Sequence, residues 1–208
     1  MKNKIYVSIF ILVSLVLTAL TLSSCDNALK FKNDGTTGNL IDEKNGRYYI
    51  YCGSYLKAAE INAKVYAKDD GKPQEKLHEI IGVDPAQWLS ENIDLGIALV
   101  FREKSVEEPT LENFGAEIIH ITMTQEVTLS IGSLTDKADV DAIVSDYVNN
   151  EEVPLPEYIN EDVTLYFQSE KYKGIYYVLQ YFVDDKNVSY LYDRWTKRCV
   201  ICSVNIFE

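Results

Sequence analysis

The stretch "IYYVLQYFV", residues 175–183, is the most informative part of the sequence for the fold. Apolar and aromatic residues occupy both sets of alternate positions. One set is Ile175, Tyr177, Leu179, Tyr181 and Val183, and the other is Tyr176, Val178 and Phe182. Strands that are buried on both faces have this composition. The stretch therefore predicts a strand in the middle of a sheet.

The sequence around this strand predicts an antiparallel meander. The stretches "VTLYFQ" (163–168), "VSYLYD" (188–193) and "RCVICSVNIF" (198–207) are also rich in β-branched and aromatic residues. The segments that join them are "SEKYKG", "DDKN" and "RWTK". Connections of this length are typical of hairpins. Consecutive strands of the second half are thus expected to pair with each other.

Two helices are predicted before the meander. The main one covers about residues 136–149, because an apolar stripe recurs at helical spacing and Asp136 can cap its start. The stripe consists of Val140, Ile143, Val144, Tyr147 and Val148. A short helix over about 85–92 is expected after Asp84-Pro85. The predicted fold class is α+β: mostly antiparallel sheet, with a tyrosine-rich C-terminal meander packed against the main helix.

The N-terminus has the features of an export signal. Two lysines, Lys2 and Lys4, precede an apolar run over residues 5–22, whose length would also suit a permanent transmembrane anchor. The run ends in Leu22-Ser23-Ser24-Cys25, which resembles the lipobox of bacterial lipoproteins. The resemblance implies removal of residues 1–24 and attachment of a diacylglyceryl group to Cys25. Asp26 resembles a retention signal at the inner membrane of bacteria that have two membranes.

The lipobox resemblance sets the expected domain organisation and localisation. Residues 1–24 are a signal peptide, residues 25–45 a lipidated flexible tether, and residues 46–208 a single domain. A sub-domain break near 133–136 is the alternative. Lipid chains hold proteins durably on a membrane face. The protein is therefore expected outside the cytoplasm, anchored by its lipid to the cell membrane.

The charge of the chain excludes one class of partner. The formal net charge is −12. It becomes −14 when the two lysines of the signal peptide are removed. Nucleic-acid binding is not expected, because phosphate backbones repel so acidic a protein. The expected partners are the membrane, through the N-terminal lipid, and an unknown protein or glycan.

Besides the lipidated cysteine, the chain has Cys52, Cys199 and Cys202. Cys199 and Cys202 are spaced like a redox motif, but they lie in a predicted strand, where residues three apart point to opposite faces. Two states remain open for the three cysteines. Either all are reduced, or Cys52 forms a disulfide with one of the other two.

No catalytic or metal-binding motif is evident in the sequence. The two histidines, His78 and His120, lie on separate predicted strands without a carboxylate at metal-ligand spacing. The adjacent acidic pairs all fall in predicted turns. We therefore expect no catalytic residues, metal or cofactor. The candidate binding residues are aromatic: Trp195, Tyr166, Tyr176, Tyr190 and Tyr192.

These observations lead to one main functional hypothesis and two alternatives. The main hypothesis is a membrane-tethered binding or interaction lipoprotein that does not catalyse a reaction. The first alternative is a lipoprotein that binds glycans or cell-wall fragments on its tyrosines. The second is a hydrolase that uses scattered carboxylates.

Overall fold

The computed structural model describes residues 29–70, 76–93, 97–124 and 128–207. Its strands and helices, in chain order, are β1 (Leu29–Asn33), β2 (Leu40–Asp42), β3 (Arg47–Tyr51), β4 (Leu56–Ala58), β5 (Ile61–Asp69), β6 (Lys76–Ile80), β7 (Trp88–Ile93), β8 (Ile97–Glu103), α1 (Leu111–Phe114), β9 (Ile118–Thr124), β10 (Thr128–Leu134), α2 (Lys137–Asn149), β11 (Ile159–Gln168), β12 (Ile175–Asp184), β13 (Ser189–Tyr192) and β14 (Cys199–Cys202).

The first half of the chain forms a closed barrel of seven strands in the order β1-β2-β3-β8-β7-β6-β5. A parallel pairing of β1 with β5 closes it, whereas its other pairings are antiparallel. Each strand contributes one buried side chain to a common core: Phe31, Leu40, Tyr49, Ala67, Leu77, Leu89 and Phe101. Alternation along the strands directs these side chains inward.

The second half forms a sheet in the order β10-β9-β11-β12-β13-β14. Strand β4, which lies in the chain between two barrel strands, pairs with the first residues of β12 in this sheet. The meander β11-β12-β13-β14 is antiparallel throughout, as the sequence predicts. The "IYYVLQYFV" strand is central, with β11 on one side and β13 and β4 on the other.

A second, larger core joins the two sheets. Three barrel residues, Ile80, Trp88 and Val100, lie on the opposite side of their strands from the side chains that fill the barrel. They belong to this larger core. They pack with residues of the second sheet and of both helices. The barrel therefore covers one face of the second sheet with its outer surface.

The main helix is confirmed, and the expected fold class is wrong. Helix α2 begins after Asp136, whose side chain accepts a hydrogen bond from the Ala138 amide, and it buries Val140, Ile143 and Tyr147. However, 50% of the described residues are in strands and only 10% in helices. A barrel and a second sheet replace the predicted helix-covered α+β fold.

The predicted helix over 85–92 is also wrong. Asp84 caps only a single turn: its carboxylate accepts from the Ala86 amide, and its carbonyl accepts from Gln87 and Trp88. Strand β7 then starts at Trp88. Trp88 and Leu89 belong to different cores, which requires the two-residue alternation of a strand rather than helical spacing.

The predicted tether over 25–45 does not hold for the residues that form β1 and β2. Phe31 and Leu40 are 1% and 5% exposed, because they fill the barrel. The chain passes from the barrel to the second sheet between β8 and α1. At the predicted sub-domain break near 133–136 the chain stays within the larger core, since Leu134 and Val140 both pack there. The predicted signal peptide, Cys25 and Asp26 lie outside the described residues.

Candidate functional site

The second sheet has one buried face and one half-buried face. Side chains of the buried face pack in the larger core and include Leu165, Phe167, Tyr177 and Leu179. The other face carries most of the tyrosines proposed from the sequence. We define the tyrosine face as Lys57, His120, Tyr166, Gln168, Tyr176, Gln180, Tyr190, Tyr192, Arg194 and Ile201. Its strand residues are all half-buried, except Ile201, which is 44% exposed.

Strand register brings the tyrosines of this face together. Tyr166 lies opposite His120 on β9, and Gln168 lies opposite Tyr176 on β12. The rings of Tyr166 and Tyr176 are 5.6 Å apart and nearly perpendicular, at 74°. The His120 ring makes a similar edge contact with Tyr176, at 5.7 Å. Each ring therefore fixes the orientation of its neighbour.

His120 is held by a polar contact in this cluster. Its Nε2 lies 2.7 Å from Oε1 of Gln168, so the imidazole nitrogen donates to the amide oxygen. This hydrogen bond satisfies one ring nitrogen of a half-buried strand residue. The contact turns one amide group of Gln168 toward the ring cluster, so the aromatic centre has a fixed polar edge.

Tyr190 and Tyr192 form the other half of the tyrosine face. The Tyr192 ring lies 5.7 Å from Phe182, which is 3% exposed beside it. The Tyr190 hydroxyl donates to Oδ2 of Asp184 at 3.0 Å. Partial burial and this hydrogen bond raise the pKa of Tyr190. Ile201 lies opposite Tyr190 in the register, so an exposed aliphatic side chain adjoins the aromatic ones.

Two cations lie on the tyrosine face, and each is held by a neutral oxygen. Nζ of Lys57 donates to the Tyr166 hydroxyl at 3.2 Å and lies 5.3 Å from the centre of that ring. Nε of Arg194 donates to Oε1 of Gln180 at 2.6 Å. Within the described parts of the chain, neither cation has a carboxylate within salt-bridge distance. Neither positive charge thus has an ion-pair partner among the described residues.

Trp195 lies at the joint between the sheet and the barrel. The residue is 51% exposed, and its ring meets Tyr51 of β3 edge-on at 5.6 Å. A Cβ at Gly53 would stand 2.5 Å from this ring, so the indole rests directly on the glycine. The structure therefore brings the four candidate tyrosines onto one face, and it places Trp195 at the edge of that face as a packing residue.

The disulfide alternative for the cysteines is not formed. Cys52, Cys199 and Cys202 are free and buried. Cys52 and Cys202 belong to the larger core, whereas Cys199 lies opposite Tyr192, on the other face of β14 from Cys202. Burial raises the pKa of Cys52 to about 12, of Cys199 to about 11 and of Cys202 to about 12. Such thiols are poor nucleophiles at neutral pH.

Two concavities offer weaker binding sites. A groove of about 390 Å³ between the barrel and the second sheet has Trp88 and Tyr172 in its wall. The two rings contact each other at 6.0 Å, and Lys171 lies over Tyr172 at 4.9 Å, so the aromatic surface is already used. A second concavity of about 430 Å³ adjoins β1. Two of its lysines are ion-paired, Lys30 to Asp70 and Lys32 to Glu43.

Metal binding has no support in the described residues, where no three His, Cys, Asp or Glu side chains come together. His78 and His120 do not meet. His78 is 7% exposed, and its Nδ1 lies 2.8 Å from the carbonyl oxygen of Asn62.

Sequence reasoning missed part of the tyrosine face. Gln168 lies two residues after Tyr166, and Gln180 lies four residues after Tyr176. Strand alternation alone could therefore have placed both glutamines on the tyrosine face. Lys57 had no such signal, because β4 reaches β12 from more than a hundred residues away in the chain. Arg194 lies in a turn, where alternation does not apply.

Comparison with known proteins gives no further assignment: no family model matches the sequence, and no curated protein or solved structure is significantly similar to it. Within the described ranges, no helix is both long enough and apolar enough to cross a bilayer. The site must therefore be interpreted from its own geometry.

Proposed function

We propose that this chain is an extracytoplasmic interaction protein that is anchored to the membrane by a lipid on Cys25 and binds a partner protein on its tyrosine face. One observation carries the proposal. The second sheet packs against the barrel on one face, while its other face carries four tyrosines that are only half-buried.

The composition of the face supports protein binding. Tyrosine and arginine are enriched at protein interfaces and among the residues that contribute most to binding. The contacts among Tyr166, Tyr176 and His120 hold their rings in place, so little side-chain entropy remains to be lost when a partner binds. The face is thus prepared for docking before any partner arrives.

Ile201 favours a protein over a glycan as the partner. It is 44% exposed and adjoins Tyr190. An aliphatic side chain gains from contact with apolar groups of a protein, whereas sugars are bound mainly through aromatic stacking and hydrogen bonds. The tyrosines and the amides of Gln168 and Gln180 would also suit a glycan, and this remains the alternative ligand.

The distance of the barrel from the membrane follows from the few residues between Cys25 and the start of β1. If Cys25 carries the lipid, its Cα is at most about 14 Å from that of Leu29, because four residue steps extend no further. The barrel would then lie close to the lipid headgroups. A partner of this protein is therefore expected at the membrane face.

The test is photo-crosslinking of the full chain in its native cell. A benzoylphenylalanine replaces Tyr176, and a matched variant carries it at Tyr48, a half-buried strand tyrosine of the barrel. We expect adducts with one protein from position 176 and none from position 48. In a chain that carries the benzoylphenylalanine at Tyr190 instead, the double substitution Tyr166→Ala and Tyr176→Ala should weaken recovery of that protein about 30-fold, as for removal of interface hot spots.

Three results would contradict the proposal. Identical adducts from both positions would show that the partner is not bound specifically by the tyrosine face. Absence of a protein adduct, together with glycan fragments linked at position 176, would support the glycan alternative. A Cys25→Ala chain that stays on the membrane and keeps its partner would exclude the lipid anchor.

A further inference from the structure

The charges of the tyrosine face differ from those of the chain as a whole. The sequence has 32 acidic residues against 20 lysines and arginines. On this face, however, Lys57 and Arg194 lie beside the aromatic cluster, and their described partners are uncharged. Two carboxylates lie at the end of the face away from Lys57: Asp162 lies opposite Phe182, and Asp184 accepts a hydrogen bond from Tyr190. Lys57 and Arg194 are therefore two cations without a described ion-pair partner on an otherwise acidic protein.

Each of the two cations is oriented but retains capacity to bind. Lys57 uses one donor on the Tyr166 hydroxyl, and an ammonium group has three. Arg194 uses only Nε on Gln180, so the two terminal nitrogens of its guanidinium have no described partner. A guanidinium with free terminal nitrogens matches the geometry of a carboxylate. The neutral oxygens position the cations without neutralising them.

The register gives the spacing of the two positions. Lys57 lies opposite Tyr176, and Arg194 contacts Gln180, four residues further along β12. Four residues of a strand extend about 13 Å. Between them lie Tyr176, Val178 and the edge of Tyr166, which form the apolar part of the contact.

We infer that the partner of the tyrosine face is an acidic protein segment that places one carboxylate against Arg194 and another against Lys57, on either side of an apolar or aromatic contact. This inference rests on the proposed function, since it specifies the chemistry of the partner at the same face. Opposite charges at an interface select partners and accelerate their encounter. They also offset the repulsion that an acidic partner would experience from the rest of this chain.

The test removes each charge while keeping the shape of the side chain. Lys57→Met and Arg194→Gln are made in the full chain with benzoylphenylalanine at Tyr190, and adduct yield is measured in native membranes. The matched control is Lys104→Met, because Lys104 lies 5.8 Å from a tyrosine ring of the barrel, much as Lys57 does on the face. We expect each face variant to lower the yield about tenfold and the control to leave it unchanged.

The results separate this inference from the proposed function. Loss of the adduct in both face variants, with acidic residues at the linked site of the partner, supports the inference. Retention of the adduct in both variants, together with its loss in the Tyr166→Ala and Tyr176→Ala chain, overturns the inference and leaves the proposed function intact. A partner whose linked site is basic or uncharged, or a glycan adduct, also overturns it. No adduct from the unsubstituted face overturns the proposed function itself.

Discussion

Substitution of Gly53 by alanine tests the joint between the barrel and the second sheet. Gly53 has a φ of +78°, and its Cα faces the Trp195 ring. An added Cβ would lie 2.5 Å from the ring, a separation that real Cβ atoms do not adopt. The indole must therefore move away from Gly53 and from Tyr51, which it now meets at 5.6 Å.

The expected cost has two parts. The positive φ costs an L-residue about 1 kcal/mol. Displacement of the ring costs about 2 kcal/mol, of which the lost contact with Tyr51 accounts for roughly half. Gly53→Ala should thus lower the free energy of unfolding by about 3 kcal/mol. In a Trp195→Ala chain the overlap is gone, and the same substitution should cost only about 1 kcal/mol.

The measurement is urea denaturation of the purified chain, followed by circular dichroism, for the four members of the cycle. Gly38→Ala is the matched control, because Gly38 has a φ of +75° and nothing within 4 Å of an added Cβ. It should cost about 1 kcal/mol, the backbone part alone. Equal costs of Gly53→Ala with and without Trp195 would refute the packing argument.

Three other expectations concern stability. The buried thiols have raised pKa values, about 12 for Cys52, so the folded chain retains protons that the unfolded chain releases above about pH 9. The urea midpoint should therefore fall as the pH rises from about 9 to 12. A constant midpoint would contradict this expectation. Asp136→Ala removes the cap of α2 and should cost about 1 kcal/mol by the same denaturation assay, whereas no loss would mean that the cap is dispensable. Arg102→Ala breaks a 2.8 Å ion pair whose arginine side chain is only 11% exposed, and it should lower the free energy of unfolding by about 2 kcal/mol. Lys137→Ala breaks an exposed ion pair and should cost less than about 0.5 kcal/mol. Similar costs for the two substitutions would contradict the effect of burial.

Local patterns predicted the elements whose partners are close in sequence. The stripe from Val140 to Tyr147 has strict helical spacing, so α2 could be found from the sequence. The meander could be found as well, because its strands are long and its connections short. Four of the candidate binding residues, Tyr166, Tyr176, Tyr190 and Tyr192, lie on one face, because the register on β12 brings their strands together.

The barrel could not be predicted in this way. It closes by a parallel pairing of β1 with β5, and β1 offers only Leu29 and Phe31 as alternating apolar residues. In a segment rich in glycine, asparagine and charge, two such residues give no clear strand signal. Pairing across a closed barrel is set by tertiary contacts, so the sequence predicts a tether over 25–45 where the structure has β1 and β2. Lys57 was missed for the same reason.

Strand β4 has a consequence for the order of folding. It interrupts the barrel sequence between β3 and β5, yet its hydrogen-bonding partner begins at Ile175. During synthesis, a chain that has emerged only as far as β8 contains every strand of the barrel but lacks the partner of β4. Contacts so distant in sequence form slowly, because a long loop must close first. The two halves are therefore expected to complete folding together, in one cooperative transition, and the first half should remain sensitive to proteases until β12 is available.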